Sequence, residues 1–193
     1  SAQTALYHVA EALCRWIAPI LTFTSDELWK AMPGERSESV LLENWHDELQ
    51  PLAADEHMNM GFWHCILEVR AAVSKVLEAL RADKTIGSSL DADVTLYVDA
   101  ELKALLDTLG DELRFVLITS EARVKLLDQA DSSCIDVSAC DKTMHIKAVA
   151  SQADKCVRCW HHREDIGSDK EHPELCGRCV ENVAGDGEHR RFA

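Results

Sequence analysis

Two Cys-x-x-Cys pairs, Cys156 with Cys159 and Cys176 with Cys179, stand sixteen residues apart and limit the end of this chain more than any other feature. Two residues between thiolates allow a tight turn that points both sulfurs at one ion, and two such turns complete a tetrahedral four-sulfur shell. Such a shell has no position left for water, so the spacing predicts one structural zinc ion and no catalytic metal. Gly177 inside the second pair is expected to supply a sharp knuckle at positive φ. A segment of about forty residues has too small a core to fold alone. Metal binding would contribute on the order of 10 kcal/mol to its folding. Two disulfides or a redox pair fit less well, since no βαβ pattern precedes either pair. An iron–sulfur cluster would use a similar ligand set, and spacing alone leaves it open. His161, His162 and His172 lie between the pairs, but with four thiolates available none is needed as a ligand.

The other cysteines, Cys14, Cys65, Cys134 and Cys140, are scattered. Cys14 and Cys65 fall in helical patterns, where free cysteine acts as a small buried hydrophobe. Metal spacing with free thiols predicts a reducing, cytoplasmic setting. No apolar run approaches the ~18 residues of a membrane span, and no basic stretch leads into a short apolar one as in a signal peptide. Ser1 opens directly on a helical pattern, as a piece cut from a longer chain would; a processed N-terminus would look the same.

Apolar residues Leu6, Val9, Leu13, Trp16, Ile17 and Ile20 recur at helical spacing and predict a helix over 1–21. Thr24 and Glu27 have the form of a capping box for a second helix running to about Met32, ended by Pro33-Gly34. Residues 39–42 read as extended. A long helix is expected from about Asp55 to Asp83, with Met60, Trp63, Ile66, Leu67, Arg70, Val73, Val76, Leu77 and Leu80 inward. Strands are expected at 94–98, 115–119, 134–137 and 144–149, with a helix over 100–109 closed by Gly110. These patterns predict an α+β fold: helices, then a long helix with a small mixed sheet, then a C-terminal four-cysteine zinc knuckle. The domain expectation is 1–54, 55–150 and 151–193.

The formal net charge of −14 argues against an autonomous nucleic-acid binder. The charge is uneven: residues 1–150 carry 25 acidic against 13 basic residues, whereas 151–193 carry nine against seven, with four histidines. Around the cysteines, Arg158, Trp160, Arg163, Arg178, Arg190, Arg191 and Phe192 mix guanidiniums with aromatic rings. That chemistry suits stacking on unpaired RNA bases and holding phosphates. The plainer alternative has Trp160 covering the cage and the arginines paired with Glu164, Asp165, Glu174 and Glu188. No phosphate loop, dinucleotide fingerprint or nucleophile elbow is present. His8, His46, His57, His64, His145 and His189 have no spacing that demands a metal or a triad, so no catalytic residues are assigned.

The run Lys155-Cys156-Val157-Arg158-Cys159-Trp160, the pair Cys176-Gly177-Arg178-Cys179 and the ending Gly185 to Ala193 resemble the C-terminal zinc segment of the bacterial isoleucyl-tRNA synthetase family, of the enterobacterial type. The stretch Trp16 to Trp29 is similar to the final helices of the anticodon-binding bundle of class I synthetases. Arg70 and Glu78 to Leu90 are similar to that family's junction helix and the turn into its sheet. The resemblance covers nearly the whole chain, in order. It implies that residues 1–54 are the C-terminal end of an anticodon-binding helix bundle, 55–150 an α+β junction domain and 151–193 a zinc-binding domain.

It further implies a monomeric, cytoplasmic enzyme that joins isoleucine to its tRNA using ATP, with tRNA as partner and no membrane. ATP and Mg2+ would belong to a catalytic domain whose HIGH-like and KMSKS-like signatures are missing from this chain. This piece would help position tRNA and be inactive alone. Two other classes share the four-cysteine ending: a DNA-repair glycosylase with a C-terminal zinc finger, and a zinc-stabilised protein–protein interaction module. The α+β segment before the finger and the acidic balance disfavour the first.

Overall fold

A computed structural model describes residues 2–53 and 56–192. The chain divides into two compact units, Ser1–Glu56 and His57–Ala193. Asp55, where the sequence places the start of the long helix, lies outside the described residues.

The first unit holds α1 (Ala2–Ile17), α2 (Thr22–Ala31) and a 3-10 turn over Val40–Leu42. Its small core joins Cys14 and Ala18 of the α1 end to Trp29 and Val40. The apolar stripe of α1 is turned outward: Leu6, Val9, Leu13 and Trp16 are exposed, as is Ile20 just past the helix, and Glu11, Ala12 and Cys14 are buried. Thr24 does not cap α2. The helix begins a turn earlier, with Leu21 as its N-cap and the Leu21 carbonyl accepting from Ser25 N–H at 2.9 Å. Residues 40–42 are a 3-10 turn rather than extended, because Ser39 caps it, its hydroxyl accepting from Leu41 N–H.

Trp29 stacks with two guanidiniums, Arg15 at 4.8 Å and Arg36 at 4.5 Å from the ring centre. Both arginines pair with buried Glu11, at 2.5 Å and 2.6 Å.

In the second unit α3 (Met60–Ala82) lies on a four-stranded mixed sheet of β1 (Ala92–Val98), β2 (Glu121–Leu126), β3 (Ile135–Ala139) and β4 (Lys142–Ala150). Asn59 caps α3 by accepting from Phe62 N–H at 3.1 Å. The strand order is β2-β1-β4-β3; β1 pairs parallel with β2 and antiparallel with β4. A parallel pair requires a crossover, here made by α4 (Ala100–Asp107) and α5 (Leu113–Leu117). Ile66, Val69, Val73 and Leu77 of α3 meet Val94, Leu96 and Val98 of β1, Met144 and Ile146 of β4, and Leu102, Leu106 and Leu113 of the crossover. Alternate residues of β1 point to this core, as a period of two demands.

Residues 115–119, read as a strand, are instead the end of α5 and a turn. Leu113 and Leu117, four apart, are both buried, so the helical period prevails over a short β-branched run. Ile118 ends the helix in the left-handed region at φ 58°. The edge strand β2 went unpredicted because Glu-Ala-Arg-Val-Lys-Leu is half charged and has no fully buried residue. The β3–β4 loop is the two residues Cys140 and Asp141, both at positive φ as a type I′ hairpin requires. Cys65, read as a free thiol, is joined to Cys140 of this loop by a disulfide. The facing sites are α3 and the hairpin, 75 residues apart in sequence, a pairing that scattered cysteines could not reveal. Among the described residues no helix is long and apolar enough to cross a membrane.

Candidate metal centre

The second unit continues past β4 into the four cysteines. Cys156 and Cys159 lie on a turn closed by Trp160 N–H donating to the Cys156 carbonyl at 2.9 Å. Trp160 itself takes the positive φ, 65°, that lets the chain double back so that Lys155 bridges His162. Cys176 is the N-cap of α6 (Gly177–Ala184), and Cys179 sits in the first turn of that helix. Gly177 is not among the positive-φ residues, which corrects the sequence expectation. Its lack of a side chain matters for close approach: a Cβ there would lie 2.9 Å from Asp165 Oδ2, the atom that accepts Gly177 N–H.

One sulfur from each of Cys156, Cys159, Cys176 and Cys179 lies within 4.8 Å of the others, and Cys159 and Cys176 Sγ are 3.6 Å apart. Zn–S bonds of 2.3 Å in a tetrahedron space the sulfurs by about 3.8 Å, so the cluster matches a zinc shell. Cys156, Cys176 and Cys179 are buried. Burial raises the thiols of Cys176 and Cys179. Burial also raises that of Cys156, but the N–H groups of Cys159, Cys176 and Arg158 outweigh it and bring the group down to about 6. Donors already aimed at sulfur prepare it to be a thiolate. Cys176 N–H donates to Cys156 Sγ at 3.4 Å, and Arg158 reaches Cys179 Sγ at 3.5 Å. No histidine joins the cluster. His161 is buried against the Phe115 ring, and burial together with Arg114 lowers it to about 4, so it is neutral.

Below the cage, the segment is fastened to the start of β1 and β2. Ser120 Oγ accepts His162 N–H at 2.5 Å, Arg163 pairs with Glu121 at 2.9 Å, and Asp91 faces Lys155 at 3.2 Å. Arg163, a candidate for RNA, is thus held by an internal partner. The other candidates divide in two. Arg158 and Trp160 sit on the first knuckle, where Trp160 is 63% exposed and does not cover the cage. Arg178 and Arg190 pair with Glu188 and stack on Phe115 with Arg114, the centroid distances being 5.1, 4.0 and 4.3 Å. Glu112 accepts the N–H groups of Arg191 and Phe192, each at 2.7 Å. The Phe115 platform was missed because the residue was assigned to a buried strand.

A family model described as "Anticodon-binding domain of tRNA ligase" matches residues 1–96, and one described as "Zinc finger found in FPG and IleRS" matches residues 153–182. With the four-cysteine cluster, the second match supports one structural zinc. The chain is similar over its whole length to proteins named isoleucine–tRNA ligase. It is 56% identical to that of Alkalilimnicola ehrlichii, covering 21% of it, and 52% identical to those of Shewanella pealeana and Pseudomonas aeruginosa, covering 20% of each. The chain therefore spans about a fifth of the length of these relatives. The glycosylase alternative touches this chain through the finger alone, whereas the ligases match from end to end.

Proposed function

This chain belongs to the isoleucine–tRNA ligase family, and we propose that it acts as a tRNA-positioning region within an ATP-dependent enzyme that joins isoleucine to its tRNA. The observation that carries the reading is the closed four-sulfur cage presenting exposed Trp160 beside Arg158. Cys156, Cys159, Cys176 and Cys179 are the proposed ligands of its zinc, which when bound crosslinks the two knuckles. An exposed indole next to a guanidinium stacks on an unpaired base and neutralises phosphate, while Arg163 serves the docking of the segment to the sheet. Isoleucine specificity, supported by the relatives' names, belongs to the same proposal, as do a monomeric state and a cytoplasmic location. So does the division into a bundle end, an α+β junction and a zinc domain. ATP and Mg2+ are assigned to the catalytic part of the whole enzyme.

The test is kinetic, on the full-length enzyme that carries this region. Trp160→Ala should raise the KM for tRNA several-fold while leaving isoleucine-dependent ATP–pyrophosphate exchange unchanged. Equal loss in both assays, or in neither, would reject the role.

A further inference from the structure

We propose that His8, His46 and Glu48, in the first unit, form a binding site for one divalent transition-metal cation. His8 comes from α1, and His46 and Glu48 from the segment after the 3-10 turn, so sequence spacing gave no hint of the cluster. One ligand atom from each lies within 4.8 Å of the others, and His8 Nδ1 is 3.9 Å from a Glu48 oxygen. His46 is only 7% exposed. His8 Nδ1 and His46 Nε2 are both buried without a hydrogen-bond partner. A buried ring nitrogen left unpaired is costly and rare, and here two face one carboxylate.

The nearby guanidiniums are balanced by carboxylates of their own. Arg15 approaches His46 Nδ1 at 3.5 Å; because a guanidinium only donates, that nitrogen carries the lone pair and Nε2 carries the ring proton. Metal at Nε2 moves this proton to Nδ1, so no net proton is released, and Arg15 turns onto its carboxylate partners Glu11 and Glu43. Arg36 is likewise paired with Glu11. Glu48 faces His8 instead of an arginine, which leaves its charge for an ion.

Two imidazoles and one carboxylate select zinc, nickel, cobalt or copper over magnesium or calcium, which prefer oxygen shells. Ligand atoms on tetrahedral zinc stand roughly 3.4 Å apart. The set closes on the ion by movement of exposed Glu48 and half-buried His8.

The experiment is calorimetric titration of the zinc-loaded chain with ZnCl2 and, separately, NiCl2 in chelator-free buffer. A further equivalent beyond the four-cysteine site is expected, weakened at least tenfold in His8→Ala and in Glu48→Gln and unchanged in His64→Ala. His46→Gln should abolish it; as that residue is buried, the two more accessible variants keep the test decisive if His46→Gln misfolds. No further equivalent, one that survives His8→Ala and Glu48→Gln, or one removed by His64→Ala overturns the proposal.

Discussion

The hydroxyl of Ser120 accepts the backbone N–H of His162 at 2.5 Å and donates to the Leu90 carbonyl. One buried side chain thus joins the zinc segment to the turn before β1. Ser120→Ala would leave a part-buried N–H unpaired, at about 1–3 kcal/mol. Hydrogen exchange should show amides around His162 losing protection first, with the β1 and β4 amides little changed. Uniform loss across the sheet would mean that Ser120 supports the core, not the docking.

Cys176→Ser should reduce bound zinc well below one per chain and unfold the segment from Cys156 to Ala184, while β1 and β4 stay protected. Metal analysis and amide exchange check the two halves. A full equivalent of zinc retained by this variant at the cage would contradict a four-thiolate shell.

Glu11→Ala should destabilise the first unit by about 3 kcal/mol, since it leaves Arg15 and Arg36 without their shared buried partner. Burial raises the Glu11 carboxyl, but hydrogen bonds from Arg36 and Arg15 prevail and hold it below its ordinary 4.5. A carboxyl with a lowered folded pKa stabilises fully above the unfolded value. That contribution fades as pH falls through the folded value. Thermal melts should therefore show wild type losing its advantage over Glu11→Ala only below about pH 4.5.

Gly177→Ala should cost about 1 kcal/mol, because the new Cβ meets the Asp165 carboxylate that holds Gly177 N–H. In an Asp165→Ala background the same change should be neutral or mildly favourable, as alanine suits a helix better than glycine. Denaturation of the four proteins in a double-mutant cycle measures the coupling. Additive effects would return the explanation to backbone conformation.

The parts of this chain that were legible are those where periodicity or ligand chemistry acts locally. Long α3, strand β1 and the two knuckles stand out because residues two, three or four apart do the work. The failures each have a non-local cause. The pair Thr24 and Glu27 has the form of a cap, but the helix starts at its N-cap Leu21, where the chain turns out of α1. The run Phe115 to Thr119 has strand-like residues but is set by where Leu113 and Leu117 find the core. Within the candidate site, the cysteines were readable and the positive φ was assigned to the wrong residue, Gly177 in place of Trp160. The Phe115 platform and the Ser120 anchor lie about forty residues or more before the segments they hold, beyond any spacing rule.

The position of β4 has a consequence for how the second unit comes into being. It is the last strand in the chain, yet it lies between β1 and β3. Until residues 142–150 have left the ribosome, β1 has a partner only on its β2 side, and the core face of the sheet lacks Met144 and Ile146. A nascent or truncated chain stopping before Lys142 therefore carries an open, apolar strand edge, the kind that recruits other chains. The sheet is completed where the metal segment begins, so the unit closes its edge and acquires its zinc ligands in consecutive stretches of the chain.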